Sequence, residues 1–232
     1  MGMADPVLIA GMIVRNEADR YLPMVLSDLA TYCDRIVVLD DGSTDATPEV
    51  CRSFAKVVFH RRETSLFWQN ESVLRIQLWD LVVAEGPEWI LAIDADEMLE
   101  PRFRQEKRRL LTQTAHDVLA MRLYEFWNSM THYRVDKLWN PAGRITPMLV
   151  RHRPGARYAW RNQPLHCGRI PVGLAEPYYC GLRCKHFGYA RAEDHRRKYE
   201  LYVSHDPQGR FTPLSHYQSI LDQNAVLAEW RD

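Results

Sequence analysis

The chain opens as short apolar runs separated by amphipathic stretches. Residues 7–14, VLIAGMIV, form a continuous apolar run, the pattern of a strand covered on both faces. Leu22, Val25, Leu26 and Leu29 then recur at helical spacing and predict a helix within 19–31. IVVL at 36–39 predicts a second strand. Asp45 caps a helix to about residue 54, with Pro48 in its first turn. KVVFH at 56–60 predicts a third strand, Val73, Leu74, Leu78, Leu81 and Val82 a helix over 70–85, and WILAI at 89–93 a fourth strand. A further helix is expected over 102–113. Such alternation predicts an α/β fold with a Rossmann-like, mainly parallel central sheet flanked by helices. Ligands of such sheets bind beyond the carboxyl ends of the strands.

The second half is less regular. Residues 117–126 and 146–152 read as strands, 127–145 and 153–181 as loops, and 191–204 and 213–230 as helices. With no repeat or linker, residues 1–232 are expected to form one domain, its nucleotide-binding half at 1–100 and its acceptor half at 101–232.

Two of the predicted strands end in aspartates. Asp94 and Asp96 flank Ala95 after WILAI, and alternation along a strand turns both carboxylates to one side. Two such carboxylates repel unless a cation lies between them, and Mg2+ or Mn2+ takes oxygen ligands and completes its shell with phosphate oxygens. The alternative is a solvated acidic turn before the next helix. Glu97 points the other way and reads as a cap or surface charge. After the second strand comes DDGSTD at 40–45. Asp40, at the strand's last position, suits a ring N–H of uracil or guanine, and Asp41 the ribose or solvent. The same residues also make an ordinary turn and helix cap.

Composition narrows the class. Lys+Arg and Asp+Glu both number 30, so the strong basic excess of a nucleic-acid binder is missing, and no nucleic-acid partner is expected. The five cysteines are irregularly spaced and expected to be reduced, in a cytoplasmic protein; Cys180 and Cys184 with His166 or His186 are a weaker zinc candidate. No apolar run reaches membrane-spanning length. A peripheral position at the inner face of the cell membrane stays open for a lipid acceptor.

Arg15-Asn16-Glu17 after the first strand, then VLDDGSTDAT, then LAIDADEML, in this order and spacing, resemble glycosyltransferase family 2 of the GT-A fold, bacterial type. Looser likenesses follow in Arg144 to Arg151, Tyr158-Ala-Trp160 through Leu165-His166, and His186-Phe-Gly188-Tyr189 with Arg197-Lys198-Tyr199. The resemblance implies inverting transfer of a sugar from a nucleotide-diphosphate sugar to a saccharide, lipid-linked or protein acceptor, with Mn2+ or Mg2+. It implies donor-binding roles for Asn16, Glu17, Asp40, Asp41, Arg75, Asp94, Ala95 and His166, and metal ligation by Asp94, Asp96 and His186.

Inversion needs a carboxylate to take the acceptor's proton. Where many members of the family carry Glu after His, this chain has His166-Cys167. The base is therefore sought among Glu193, Asp194 and Glu125, with Asp136 and Glu176 also open. The missing Glu equally suits a catalytically inert nucleotide-sugar-binding or scaffolding protein on the same fold. Arg191, Arg196, Arg197 and Lys198 share one predicted helix, as a solvated face or with one of them on phosphate. Trp68, Trp127, Trp139 and Trp160 are candidates for a sugar platform, whereas Trp79 and Trp89 are expected in the core.

Overall fold

The structure, a computed structural model, describes residues 5–67, 69–163 and 167–232. Its centre is β1 (Leu8–Val14), hydrogen-bonded in parallel to β2 (Arg35–Asp40) on one side and β4 (Trp89–Ala92) on the other, with β3 (Val57–Arg61) outside β2. Beyond β4 the pairing becomes antiparallel. There β8 (Ile145–Arg151) joins β4, β6 (Val118–Trp127) joins β8, and β7 (His132–Arg134) and β10 (Leu227–Glu229) complete that edge. A long strand, β9 (Tyr178–Tyr189), runs parallel to β6 and antiparallel to the short β5 (Glu97–Leu99).

Strand alternation divides the core into two layers. Leu8, Ala10, Met12 and Val14 of β1 face the helix α1 (Leu22–Leu29) and α4 (Arg102–Thr112), while Ile9 faces α3 (Glu71–Ala84). Helix α1 buries Leu22, Val25, Leu26 and Leu29 completely, each worth roughly 1.5–3 kcal/mol of apolar burial. Helix α3 lies so close to the sheet that a Cβ on Gly11 would stand 2.7 Å from Val82 Cγ2. The seam between α3 and β1 therefore tolerates no larger residue there. The helix α2 (Thr47–Arg52) begins just after Asp45, whose Oδ1 accepts from the Thr47 amide.

The parallel core and its helices follow the sequence pattern; the second half departs from it. The helix expected over 213–230 is only α6 (Leu214–Gln218), a single 3-10 turn at Ser219–Leu221, and β10. Pairing of β10 with β7 decides its conformation, a tertiary contact that local periodicity does not carry. Strand β9 falls partly in a span read as loop, because Gly181, Gly188 and several charged residues mask its alternation. Helix α5 (Ala192–His205) lies where expected. Trp127 and Trp139 are not a sugar platform: both are buried, edge to face at 4.9 Å, with the Arg134 guanidinium over Trp127. Trp160 packs edge-on against Trp79, and Trp68 lies outside the described residues.

Candidate active site

Register brings the strand ends together. Val14 of β1 lies opposite Asp40 of β2, and Gly11 opposite Ala92 of β4, so the loops after all three strands share one rim. Asn16 adopts a left-handed φ of 54°, a conformation asparagine tolerates better than most residues. Its amide donates to Ser43 Oγ at 3.0 Å and its Oδ1 accepts from the Thr44 amide at 2.8 Å. The Glu17 amide donates to Thr47 Oγ1 at 2.8 Å. The first loop is thereby stitched to the DDGSTD turn.

The two aspartates of that turn have different jobs. Asp40 is fully buried; its Oδ1 accepts from the Ser43 amide and hydroxyl, and Arg61 Nε stands 3.4 Å from Oδ2. It supports the turn and does not line the cleft above it. Asp41 does line that cleft. It also accepts from Ser65 Oγ at 2.6 Å and from the Leu66 and Phe67 amides at 2.8 and 3.1 Å, fixing the opposite lip. Of the two aspartates, Asp41 and not Asp40, where a base contact was expected, lines the cleft, because the Ser43 turn buries Asp40 beneath it.

The cleft has a volume of about 700 Å3 and runs from Asn16, Asp41 and Phe67 past Asp94, Ala95 and Asp96 to the face of α5. Its inner wall is a lattice of ion pairs. Asp94 Oδ1 meets Arg75 at 3.2 Å and Oδ2 meets Arg169 at 3.3 Å. Glu71 orients Arg75 at 3.1 Å, and Glu97, turned inward and buried, takes Arg169 through both oxygens at 2.5 and 2.8 Å. Asp96 Oδ2 faces His186 Nε2 at 3.3 Å and Lys198 Nζ at 3.5 Å. His186 Nδ1 bonds Glu125, which also holds Arg144 at 2.9 Å.

The charges follow from these contacts. Burial works against ionisation of Asp94, but Arg169 and Arg75 outweigh it and hold its pKa low. Burial is likewise outweighed at Asp96 by His186 and Lys198, and its pKa falls well below the carboxylate range. At His186 burial opposes charge, yet Glu125 and Asp96 raise the pKa to about 10, so the ring is an imidazolium at neutral pH. Glu125 sits near 2, held down against burial by His186 and Arg144. Glu17 moves the other way, up to about 7, chiefly through burial, with Arg20 opposing and Asp96 adding.

The catalytic carboxylates expected from sequence are not free in the cleft. Glu125 is buried under His186 and Arg144. Asp194 is buried and clamped by Arg20 at 2.7 Å and the Tyr21 hydroxyl at 3.3 Å. Glu193 is exposed and outside the cleft lining, as is Glu176, and Asp136 binds the buried Arg134. His166 lies outside the described residues. Glu17, by contrast, lines the cleft with one ion-pair partner, Arg20, at 2.8 Å.

Asp94 and Asp96 suit Mg2+ or Mn2+ as oxygen donors, since both are carboxylates lining the cleft, Asp94 with Arg75 and Arg169 hydrogen-bonded to it and Asp96 flanked by His186 and Lys198. His186, the third ligand expected from the resemblance, has Nε2 3.3 Å from Asp96 and Nδ1 on Glu125, so both ring nitrogens face carboxylates in this structure. Among the described residues no group of three or more His, Cys, Asp or Glu side chains is arranged around one metal position. Of the zinc candidate, Cys184 is buried and Cys180 faces the Ala120 carbonyl, with no such group around them among the described residues, which leave out His166. Arg169 escaped the sequence reading altogether. It lies in an irregular segment whose only local signal is Gly168, at φ +89°.

A parallel βα core with acidic strand ends opening into one cleft is the GT-A architecture, and solved proteins share it. Over 93% of this chain and 69% of the other, S. aureus TarS superposes with a TM-score of 0.51 at 14% identity. The mannosyltransferase PcManGT of Pyrobaculum calidifontis, solved in complex with GDP-Man and Mn2+, gives 0.50 at 13% identity over 95% and 71%. The chain belongs to glycosyl transferase family 2, whose model matches residues 10–170. Relatives include a TPR repeat-containing protein of Synechococcus elongatus, 35% identical over 229 residues, covering 91% of this chain and 51% of that one. An uncharacterised protein of Mycobacterium tuberculosis is 25% identical over 215 residues, covering 88% and 52%. The chain thus spans about half the length of the curated relatives it matches. Among the described residues no helix is long and apolar enough to cross a membrane.

Proposed function

We propose that this chain transfers a sugar from a nucleotide-diphosphate sugar to an acceptor hydroxyl, with inversion. The observation that carries this reading is the convergence of Asp94, Asp96, Arg75 and Arg169 on the cleft that Asn16 and Asp41 also line. A nucleoside would lie toward Asn16, Asp41 and Phe67, and its diphosphate toward the cationic inner wall. The nucleoside would then draw on residues 1–100, and the diphosphate also on Arg169, His186 and Lys198 from the half beyond them. The PcManGT complex with GDP-Man and Mn2+ supports a donor of this class.

Asp94 and Asp96 would hold Mn2+ or Mg2+, which supplies positive charge against the leaving diphosphate. The chain's own groups do the rest. Arg75 and Arg169 orient the diphosphate with guanidinium N–H donors. Glu97 and Glu71 keep those guanidiniums in place. Glu125 keeps His186 protonated beside Asp96. Glu17, with a pKa of about 7, is the described cleft carboxylate suited to accept a proton near neutrality.

Titration calorimetry with UDP and GDP, each with and without Mn2+, tests the reading. Micromolar binding of one nucleotide, tightened by the metal, is expected; no binding of either under any condition would reject it. The inert alternative draws on Cys167, where many members of the family carry Glu, and on the occupied states of Glu125 and Asp194. Slow release of free sugar from bound donor would count against it.

A further inference from the structure

Helix α5 carries four basic residues, and the structure separates them. Arg191 stacks over Tyr21, Arg196 is exposed and outside the cleft lining, and Arg197 is half-exposed beside Asp194. Arg197 and Lys198 both line the cleft, and Lys198 is the more deeply buried of the two. Its side chain is 13% exposed and its ammonium stands 3.5 Å from Asp96 Oδ2, over the Tyr189 ring at 4.5 Å. The 3.5 Å to Asp96 is long for a charge-assisted hydrogen bond. An ammonium has three N–H donors, so this one keeps donor capacity for an anionic group that enters the cleft.

The strand beneath it has made room. A Cβ on Gly188 would lie 2.0 Å from Lys198 Nζ and 2.7 Å from His186 Cε1 and Nε2. Gly188 is not in the left-handed region, so the backbone does not call for glycine there. Space does. A glycine inside a strand marks a close approach, and here the approaching group is the lysine's charged end.

We propose that Lys198 is a ligand of the donor's diphosphate, seated by the absent side chain of Gly188. This rests on the reading of the cleft as a nucleotide-diphosphate site. In the transfer, the bond from the anomeric carbon to the diphosphate oxygen breaks and its electron pair stays on that oxygen. The acceptor oxygen forms the new bond to the carbon and gives up its proton to a carboxylate or water. The diphosphate gains one negative charge, which the Lys198 ammonium meets with N–H donors while keeping its own proton. Its position beside Asp96 lets it work in the presence or absence of a metal ion.

The experiment compares dissociation constants of UDP and GDP with those of UMP and GMP, for wild type, Lys198→Met, Lys198→Arg and Gly188→Ala, in Mn2+ and in EDTA. Lys198→Met should weaken diphosphate binding about tenfold or more in both conditions, the loss of a charge-assisted hydrogen bond, with a smaller effect on the monophosphates. Lys198→Arg should recover part of the loss. Gly188→Ala should lose affinity in the same direction with the lysine still present, because the new methyl displaces its flexible end. Diphosphate affinity within twofold of wild type in Lys198→Met, with only a lower melting temperature, would overturn the proposal and leave the lysine a structural partner of Asp96. Absence of nucleotide binding by the wild type would remove the cleft reading and this proposal together. Binding by the wild type that neither Lys198→Met nor Gly188→Ala disturbs would remove this proposal alone.

Discussion

Arg169 closes a two-pronged ion pair on Glu97, at 2.5 and 2.8 Å, and from that anchorage reaches Asp94 at 3.3 Å. Glu97, adjacent to the aspartate pair in sequence, thus positions a guanidinium beside Asp94. The consequence is testable. Arg169→Ala leaves the buried Glu97 without its main partner, which costs about 3 kcal/mol of unfolding free energy. Arg169→Lys keeps charge but not the fork, and should recover less than half of it. Denaturant titration of both variants, alongside nucleotide affinity, checks this; a loss under about 1 kcal/mol would show that water reaches Glu97 freely.

The metal reading depends on Asp96. Asp96→Asn removes the charge that His186 and Lys198 share while keeping the shape. The expected result is nucleotide binding that no longer responds to Mn2+. A preserved metal response in calorimetry would place the ion elsewhere.

Asp41 and Asp40 should separate in nucleotide binding. Asp41 faces the cleft and holds the 65–67 segment through three accepted hydrogen bonds. Asp41→Ala should weaken nucleotide affinity by about tenfold or more, whereas Asp40→Ala should act mainly on stability through the Ser43 turn. Equal affinity losses in the two variants would contradict the division.

Glu17 makes a prediction about pH. Its carboxyl pKa rises from 4.5 to about 7, so the native state holds a proton that the unfolded chain releases between those values. The associated stability is fully present below pH 4.5 and is lost as pH rises through about 7. Glu17→Gln should therefore melt like wild type near pH 4 and be more stable at pH 8, by on the order of 2 kcal/mol. Should Glu17 also receive the acceptor's proton, kcat in the variant falls while donor affinity persists. Identical pH dependence of melting in both proteins would mean that the carboxyl is solvated.

Apolar periodicity alone laid out the βα series through Ala92, because strands covered on both faces and amphipathic helices write their burial into local order. The same stretch announced Asp94 and Asp96, since a strand's end fixes where its following residues emerge. Beyond it, the outcome was tertiary. Whether Asp40 or Asp41 faces the cleft depends on a turn that buries one of them. The company of Asp96 comes from β9 and α5, about 90 to 100 residues later, and was beyond local inspection. Whether a carboxylate such as Glu125 is free or locked depends on partners from other strands. Charge pairing acts through space, and the chain's linear order records only the neighbours it makes along itself.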